Sequence, residues 1–226
     1  MKIILFDIDG TLMLSGGAGL RAMNEAFLRV YGKKDALLNV KLAGRTDTSI
    51  IEDALTATGI PFENEKFEYY KSVYYDLLEK EILQPSTEKR IMPGIKELLP
   101  LLEEHKGVYM GLLTGNWEKS GRIKIGHFGL NEYFSFGAFA NDSGVRNDLL
   151  PFAIKRFIEK YDVVPKPDEV YVIGDTPADI NCAKPHGAYS VAVGAAFYTV
   201  EQLKEYNPDY LFADLSDTER VMQILG

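Results

Sequence analysis

Six short apolar runs, each closed by a polar or glycine-containing turn, constrain the fold of this 226-residue chain more than any other feature. Ile3–Phe6 ends at Asp7. Val108–Leu113 ends in Thr114-Gly115-Asn116, and Phe134–Ala140 in Asn141-Asp142-Ser143-Gly144. Val170–Ile173 ends in Gly174-Asp175, Ser190–Val193 in Gly194, and Tyr210–Ala213 in Asp214. A short, nearly continuous apolar run suits a strand buried on both faces. Helical patterns fall between the runs. Ile95, Leu98, Leu99 and Leu102 follow i, i+3, i+4, i+7 spacing after Pro93-Gly94. Leu150–Tyr161 carries Pro151 in its first turn, where proline is tolerated, and Thr176–Ala183 carries Pro177 near its start. Thr199–Tyr206 and Ser216–Leu225 read as helices too. Alternating strands and helices predict an α/β fold, a parallel sheet with helices on both faces.

The rhythm stops between about Gly16 and Arg90. Gly19–Tyr31 and Asp47–Thr58 each read as a helix, Pro61–Leu83 as one long helix or a broken pair, and no strand is evident. The predicted organisation is an α/β core built from residues 1–14 and 91–226, interrupted by a helical insert at 15–90. Most of the insert's aromatics, such as Phe27, Tyr31, Phe67, Tyr70 and Tyr74, are expected to form its own core.

Composition narrows the function classes. A formal charge of -8 and the absence of a Lys/Arg run argue against a nucleic-acid partner. The apolar amino terminus is short and interrupted by Asp7, so no signal peptide is expected, and no run is long enough to cross a membrane. The single cysteine, Cys182, excludes an intrachain disulfide and suits a reducing compartment. The expectation is a cytoplasmic protein, a monomer or weak homo-oligomer.

In parallel sheets, ligands bind beyond the carboxyl ends of the strands. Those ends deliver Asp7 and Asp9, then Thr114, Gly115 and Asn116, then Asp175 with Asp179 a helical turn later. Asp7 and Asp9 are two apart and project to one side of an extended chain. Carboxylates this close repel unless a cation intervenes, and a hard divalent ion such as Mg2+ suits oxygen ligands beside a phosphate. Gly10 lets the backbone turn tightly around a bound group. His105, His127 and His186 are scattered, and Gly16-Gly17-Ala18-Gly19 lacks dinucleotide-loop spacing.

Three pieces in order, Asp7-Ile8-Asp9-Gly10-Thr11-Leu12, Thr114-Gly115-Asn116 and Gly174-Asp175-Thr176-Pro177-Ala178-Asp179, resemble the phosphatase branch of the haloacid dehalogenase superfamily. The resemblance covers most of the chain. It implies a Rossmann-like core with an inserted helical cap that closes over the site. It implies a phosphoric monoester hydrolase using Mg2+ on a small phosphorylated metabolite, near the phosphoglycolate phosphatase branch. By position, Asp7 is the implied nucleophile, forming an aspartyl-phosphate. Asp9 is the implied acid and base. Gly10, Thr114, Gly115 and Asn116 surround the phosphoryl group. The Asp7 and Asp175 side chains and the Asp9 backbone carbonyl hold the metal, supported by Asp179. The family's phosphate-neutralising cation, usually a lysine before a proline, falls to Arg146 in this chain, with Lys155 as the other candidate. Leu42-Ala43-Gly44-Arg45-Thr46 resembles a substrate loop of related caps, which makes Arg45 a candidate for a second anionic group on the substrate.

The alternatives are a β-phosphoglucomutase-like phosphosugar mutase and, from another class, a non-catalytic metabolite-binding or regulatory module. Thr114-Gly115-Asn116 differs from the Ser/Ala-Ser-Lys of such mutases, and the retained acids argue against a dead site. A dehalogenase is disfavoured because that branch does not keep an acid at the position of Asp9. Met13-Leu14-Ser15-Gly16 replaces the Asp-Ser common after this motif in phosphoglycolate phosphatases, so the exact substrate stays open at this stage.

Overall fold

The computed structural model describes all 226 residues. Its strands are β1 (Lys2–Phe6), β2 (Met13–Leu14), β3 (Arg90–Ile91), β4 (Val108–Leu113), β5 (Gly137–Ala138), β6 (Val170–Gly174), β7 (Tyr189–Val193) and β8 (Tyr210–Phe212). Its helices are α1 (Ala18–Tyr31), α2 (Asp47–Thr58), α3 (Asn64–Glu81), α4 (Ile95–Glu104), α5 (Glu118–Gly126), α6 (Leu149–Tyr161), α7 (Pro177–Ala183), α8 (Val200–Lys204) and α9 (Thr218–Leu225). Six strands form one parallel sheet in the order β5-β4-β1-β6-β7-β8. The chain starts in the middle and builds outward in both directions, so β1 lies at the topological switch point. A crevice opens there beyond the strand ends, and Asp7 is the first residue past β1.

Alternation along β1 decides what covers each face. Ile4 and Phe6 join Ile95, Leu98, Leu99 and Leu102 of α4 and Val221 and Leu225 of α9 in one apolar cluster. Ile3 and Leu5 face the other way, onto Leu149, Leu150, Ala153 and Phe157 of α6. The sheet is therefore sealed on both sides, as its continuous apolar strands require.

Helices α1, α2 and α3 form the inserted cap and share a third cluster. The packing of Phe27, Ile51, Tyr70 and Tyr74 is its centre, as expected. Two members of that cluster, Trp117 and Ala140, belong to the α/β part. Trp117 is 1% exposed and stacks edge-on to Phe67, Tyr70 and Tyr74 of α3. Its indole N–H donates to Thr48 Oγ1 at 2.9 Å. The cap's apolar core is thus completed by the α/β layer beneath it.

Four details add to or differ from the sequence expectation. The run Phe134–Ala140 yields only the two-residue β5, because it pairs with β4 at Gly137 and Ala138 alone and Asn131–Tyr133 is a 3-10 turn. The stretch after Asn116, unassigned from sequence, is helix α5. Pro61–Leu83 contains one unbroken helix that starts at Asn64 and ends at Glu81. Met13–Leu14 pairs antiparallel with Arg90–Ile91, so a small ribbon ties the two strands of chain that enter and leave the cap.

Candidate functional site

Asp7, Asp175 and Asp179 present carboxylate oxygens that all lie within 4.8 Å of one another, and all three residues are buried. They come from the ends of β1 and β6 and the first turn of α7. Asp179 also closes a capping box: Thr176 N–H and Oγ1 donate to its Oδ2 at 3.1 and 2.8 Å. Thr11 Oγ1 donates to Asp175 Oδ1 at 3.3 Å, and the Phe197 N–H donates to Asp175 Oδ2 at 3.3 Å. Gly10 has φ +86°, and a Cβ there would fall 2.3 Å from Asp175 Oδ2. The loop after β1 can pass over Asp175 only because that residue is glycine.

One guanidinium faces this acid cluster. Arg146 Nη2 lies 3.2 Å from Asp7 Oδ2, donates to Asp179 Oδ1, and donates to the Leu113 carbonyl at 3.3 Å. Arg146 sits in a 3-10 turn just before α6 and is 6% exposed, while its Nε is buried without a partner. Of the two candidate cations, the structure brings Arg146 to the acids. Lys155 does not reach them: it lies on the outer face of α6, 72% exposed, 3.9 Å from Glu159. Its position seven residues into the helix turns it to solvent.

Burial dominates the titration of Asp7 and Asp175. It raises Asp7 to about 6, against the lowering effect of Arg146. Asp175 is raised well above the usual carboxylate range by burial, with Asp179 and Asp7 adding repulsion. A buried set of oxygen donors with excess negative charge fits a hard divalent cation. Asp7, Asp175 and Asp179 would hold it. Asp9 does not contribute its side chain to this group.

The Asp9 carboxylate turns instead to helix α5, the element that sequence reasoning left unassigned. Lys124 Nζ donates to Asp9 Oδ2 at 2.6 Å and to Asn116 Oδ1 at 2.6 Å. Asn116 Nδ2 donates to the same Asp9 oxygen at 2.8 Å and to Thr114 Oγ1 at 2.9 Å. Lys124 is 5% exposed. Burial works against its ammonium, but Asp9 and Asp47 outweigh it and raise the pKa. Lys124 escaped sequence analysis because Ile123 and Ile125 flank it and its helix was not recognised.

Asp47, at the start of α2, also escaped, because an acid in a first helical turn is ordinary. Here its Oδ2 accepts from the Trp117 N–H at 2.9 Å and from Ser120 Oγ at 3.0 Å, at the amino end of α5. Asp47 N–H also donates to the Gly115 carbonyl at 2.6 Å. Gly115 is required by this contact, since a Cβ would meet the Arg45 carbonyl at 2.1 Å. Thr114, Gly115 and Asn116 therefore join the base of the site to the cap. Arg45 lines the cavity between them, but its Nε donates to Ser49 Oγ at 3.1 Å and its Nη2 lies 2.7 Å from Asp53.

These carboxyls have a consequence for stability. Burial also raises Asp47 to about 6. A carboxyl whose folded pKa exceeds its unfolded value contributes fully below the unfolded pKa of about 4, and that contribution is lost as pH rises towards 6. With a chelator present, Asp7 and Asp47 are expected to lower Tm between pH 5 and pH 7. Thermal melts should show that fall, and a saturating divalent cation should reduce it wherever it is held by Asp7. A Tm difference equally large with and without the divalent cation would remove Asp7 as its source.

The profile described as haloacid dehalogenase-like hydrolase matches residues 4–193. A phosphoglycolate phosphatase of Vibrio parahaemolyticus is 26% identical, over 99% of this chain and 97% of its own length. A pyrophosphatase PpaX of Halalkalibacterium halodurans is 23% identical, over 100% of this chain and 97% of its own. In fold, the crystal structure of a hydrolase from Pseudomonas syringae superposes with a TM-score of 0.70 at 21% identity, covering 100% of both chains.

Proposed function

Since this chain belongs to the haloacid dehalogenase-like hydrolases, we propose that it is a phosphatase of small phosphate monoesters, with Asp7 as nucleophile. The observation that carries this reading is Asp7 at the switch point of the sheet, 3.2 Å from Arg146 and within one buried cluster with Asp175 and Asp179. Relatives named as phosphoglycolate phosphatase and pyrophosphatase support phosphoryl transfer to water.

In this reading an Asp7 oxygen attacks phosphorus as the bond to the leaving oxygen breaks. Asp9 gives its proton to that oxygen, and the alcohol departs. Water then attacks the aspartyl-phosphate, Asp9 takes the proton, and phosphate leaves with Asp7 restored. Lys124 and Asn116 fix one oxygen of Asp9, which leaves the other to exchange the proton. Arg146, Thr114 and the backbone N–H groups near Gly115 bind the phosphoryl oxygens. The divalent cation, Mg2+ in this proposal, supplies charge neutralisation for the nucleophile and the phosphoryl group when bound. The closed cap excludes bulk water. Residues 15–90 act as that cap on a core of 1–14 and 91–226, with β2 and β3 at the two crossings. The cytoplasm is the proposed compartment. No helix of the chain is long and apolar enough to cross a membrane.

The test is phosphate release from a panel of small phosphate monoesters. Activity is expected with Mg2+ and should fall to background in EDTA, returning on addition of excess Mg2+. Full activity after exhaustive chelation would contradict the metal assignment. A sugar 1-phosphate should give free phosphate rather than its isomer.

A further inference from the structure

Above Asp7, Asp9 and Arg146 the cap and core enclose a cavity of about 750 Å3. Ligand pockets span roughly 300–1,000 Å3, so this one lies in the upper part of the range. A phosphoryl group with one or two carbons would leave most of it to water. Its lining includes an apolar set, Leu20, Met23, Leu42 and Ile50 from the cap and Leu14 and Phe197 from the core. Phe197 is 52% exposed and Leu20 40% exposed. Large apolar surface left open inside a functional cleft marks a place for an apolar ligand group.

Three of the four cations on the same walls have acidic partners. Lys124 is held by Asp9 and Asn116, and Arg146 by Asp7 and Asp179. Arg45 is engaged by Asp53 and Ser49. Arg90 donates to the Glu88 carbonyl at 3.2 Å, and Glu88 also lines the cavity. The cations that bind the phosphoryl group are at the floor. On the walls each cation already has an oxygen partner. A second anion on the substrate would exchange the Arg45–Asp53 pair for another of the same kind and gain little by it.

We infer that the substrate is a phosphate monoester whose leaving alcohol is uncharged and largely apolar, with an aromatic ring or branched alkyl group packing on Leu20, Leu42 and Phe197. This rests on the phosphatase reading and narrows it. It sets the chain apart from enzymes whose leaving group carries a carboxylate or a second phosphate.

The experiment compares kcat/KM for benzyl phosphate, phosphoglycolate and inorganic pyrophosphate with Mg2+. Apolar contacts discriminate by roughly tenfold or more per group, so benzyl phosphate should lead by at least about tenfold. Phe197→Ala, at a half-exposed position where the fold tolerates truncation, should raise KM for benzyl phosphate and narrow its lead by about tenfold. Leu20→Lys, which places an unmatched cation on the wall, should shift preference towards phosphoglycolate. A preference of the unmodified protein for phosphoglycolate or pyrophosphate overturns the inference while leaving the phosphatase reading intact. A lead for benzyl phosphate that neither variant changes also overturns it, because the wall would then not be its cause. No phosphate released from any of the compounds, or from the wider panel, sinks the phosphatase reading and this inference together.

Discussion

Asp7→Asn is expected to lower phosphate release by roughly four orders of magnitude or more, the scale seen when a covalent nucleophile is removed. The amide has nearly the same shape, so Arg146, Thr114 and the surrounding backbone keep their positions. It lacks the nucleophilic carboxylate oxygen, so the aspartyl-phosphate cannot form. The variant should nonetheless fold at least as well as the parent. Asp7 is 6% exposed, and burial holds its pKa at about 6, so at neutral pH the native protein carries the ionised form at a cost. Removing one charge from a cluster that also holds Asp175 and Asp179 relieves that cost. In a chelator, Tm of Asp7→Asn at pH 7 should therefore equal or exceed that of the parent, and the fall in Tm between pH 5 and pH 7 should shrink. Retention of activity within tenfold, in a variant with an unchanged circular dichroism spectrum, would exclude the covalent route. Loss of activity together with loss of fold would show instead that Asp7 is a structural acid.

The same residue shows why parts of this molecule were legible in its sequence. Ile3–Phe6 and Val170–Ile173 are buried on both faces of a parallel sheet, and such strands must be apolar at every position. Their ends stand out as Asp7 and Asp175 because polarity returns abruptly where the strand stops. α4 was legible for a related reason, since Ile95, Leu98, Leu99 and Leu102 make one continuous stripe against the sheet. α5 offers no such stripe. Its buried positions include Ser120, Gly121 and Lys124, because the helix packs against the polar floor of the cleft and against the cap. A period of 3.6 in hydrophobicity cannot appear where the buried groups are polar. Lys124 was hidden for that reason, and Asp47 because an acid in a first helical turn is ordinary. Each acts through a partner far away in sequence, Asp47 on Trp117 and Ser120, Lys124 on Asp9. Trp117 falls within the expected core segment, but its place in the cap's cluster could not be read in advance, since its cage of Phe67, Tyr70 and Tyr74 forms only where cap and core meet.

Arg146 carries the second large effect, and two substitutions separate its charge from its shape. Arg146→Met leaves Asp7 and Asp179 buried without their cation. Breaking a buried pair on one side costs about 3–5 kcal/mol, so this variant should be strongly destabilised in a chelator. Mg2+ should restore part of that stability, because the ion neutralises the same acids. Arg146→Lys keeps a positive charge, and its loss of stability should be smaller. It cannot reproduce a planar fork, however, and a single ammonium cannot bind Asp7, Asp179 and the Leu113 carbonyl while also presenting N–H groups to a phosphoryl oxygen. Its kcat/KM should fall by about 10²–10³, the scale of losing a preorganised donor at a developing charge. Lys155→Ala is the control. That side chain is 72% exposed and remote from the acids, so activity should stay at the parent level. The opposite pattern, with Lys155→Ala inactive and Arg146→Lys fully active, would move the phosphate-neutralising role to α6 and require a different arrangement of that helix. If Arg146→Met matched the parent in both stability and rate, the acid cluster would have to be neutral in the resting protein, with its carboxyls protonated rather than paired.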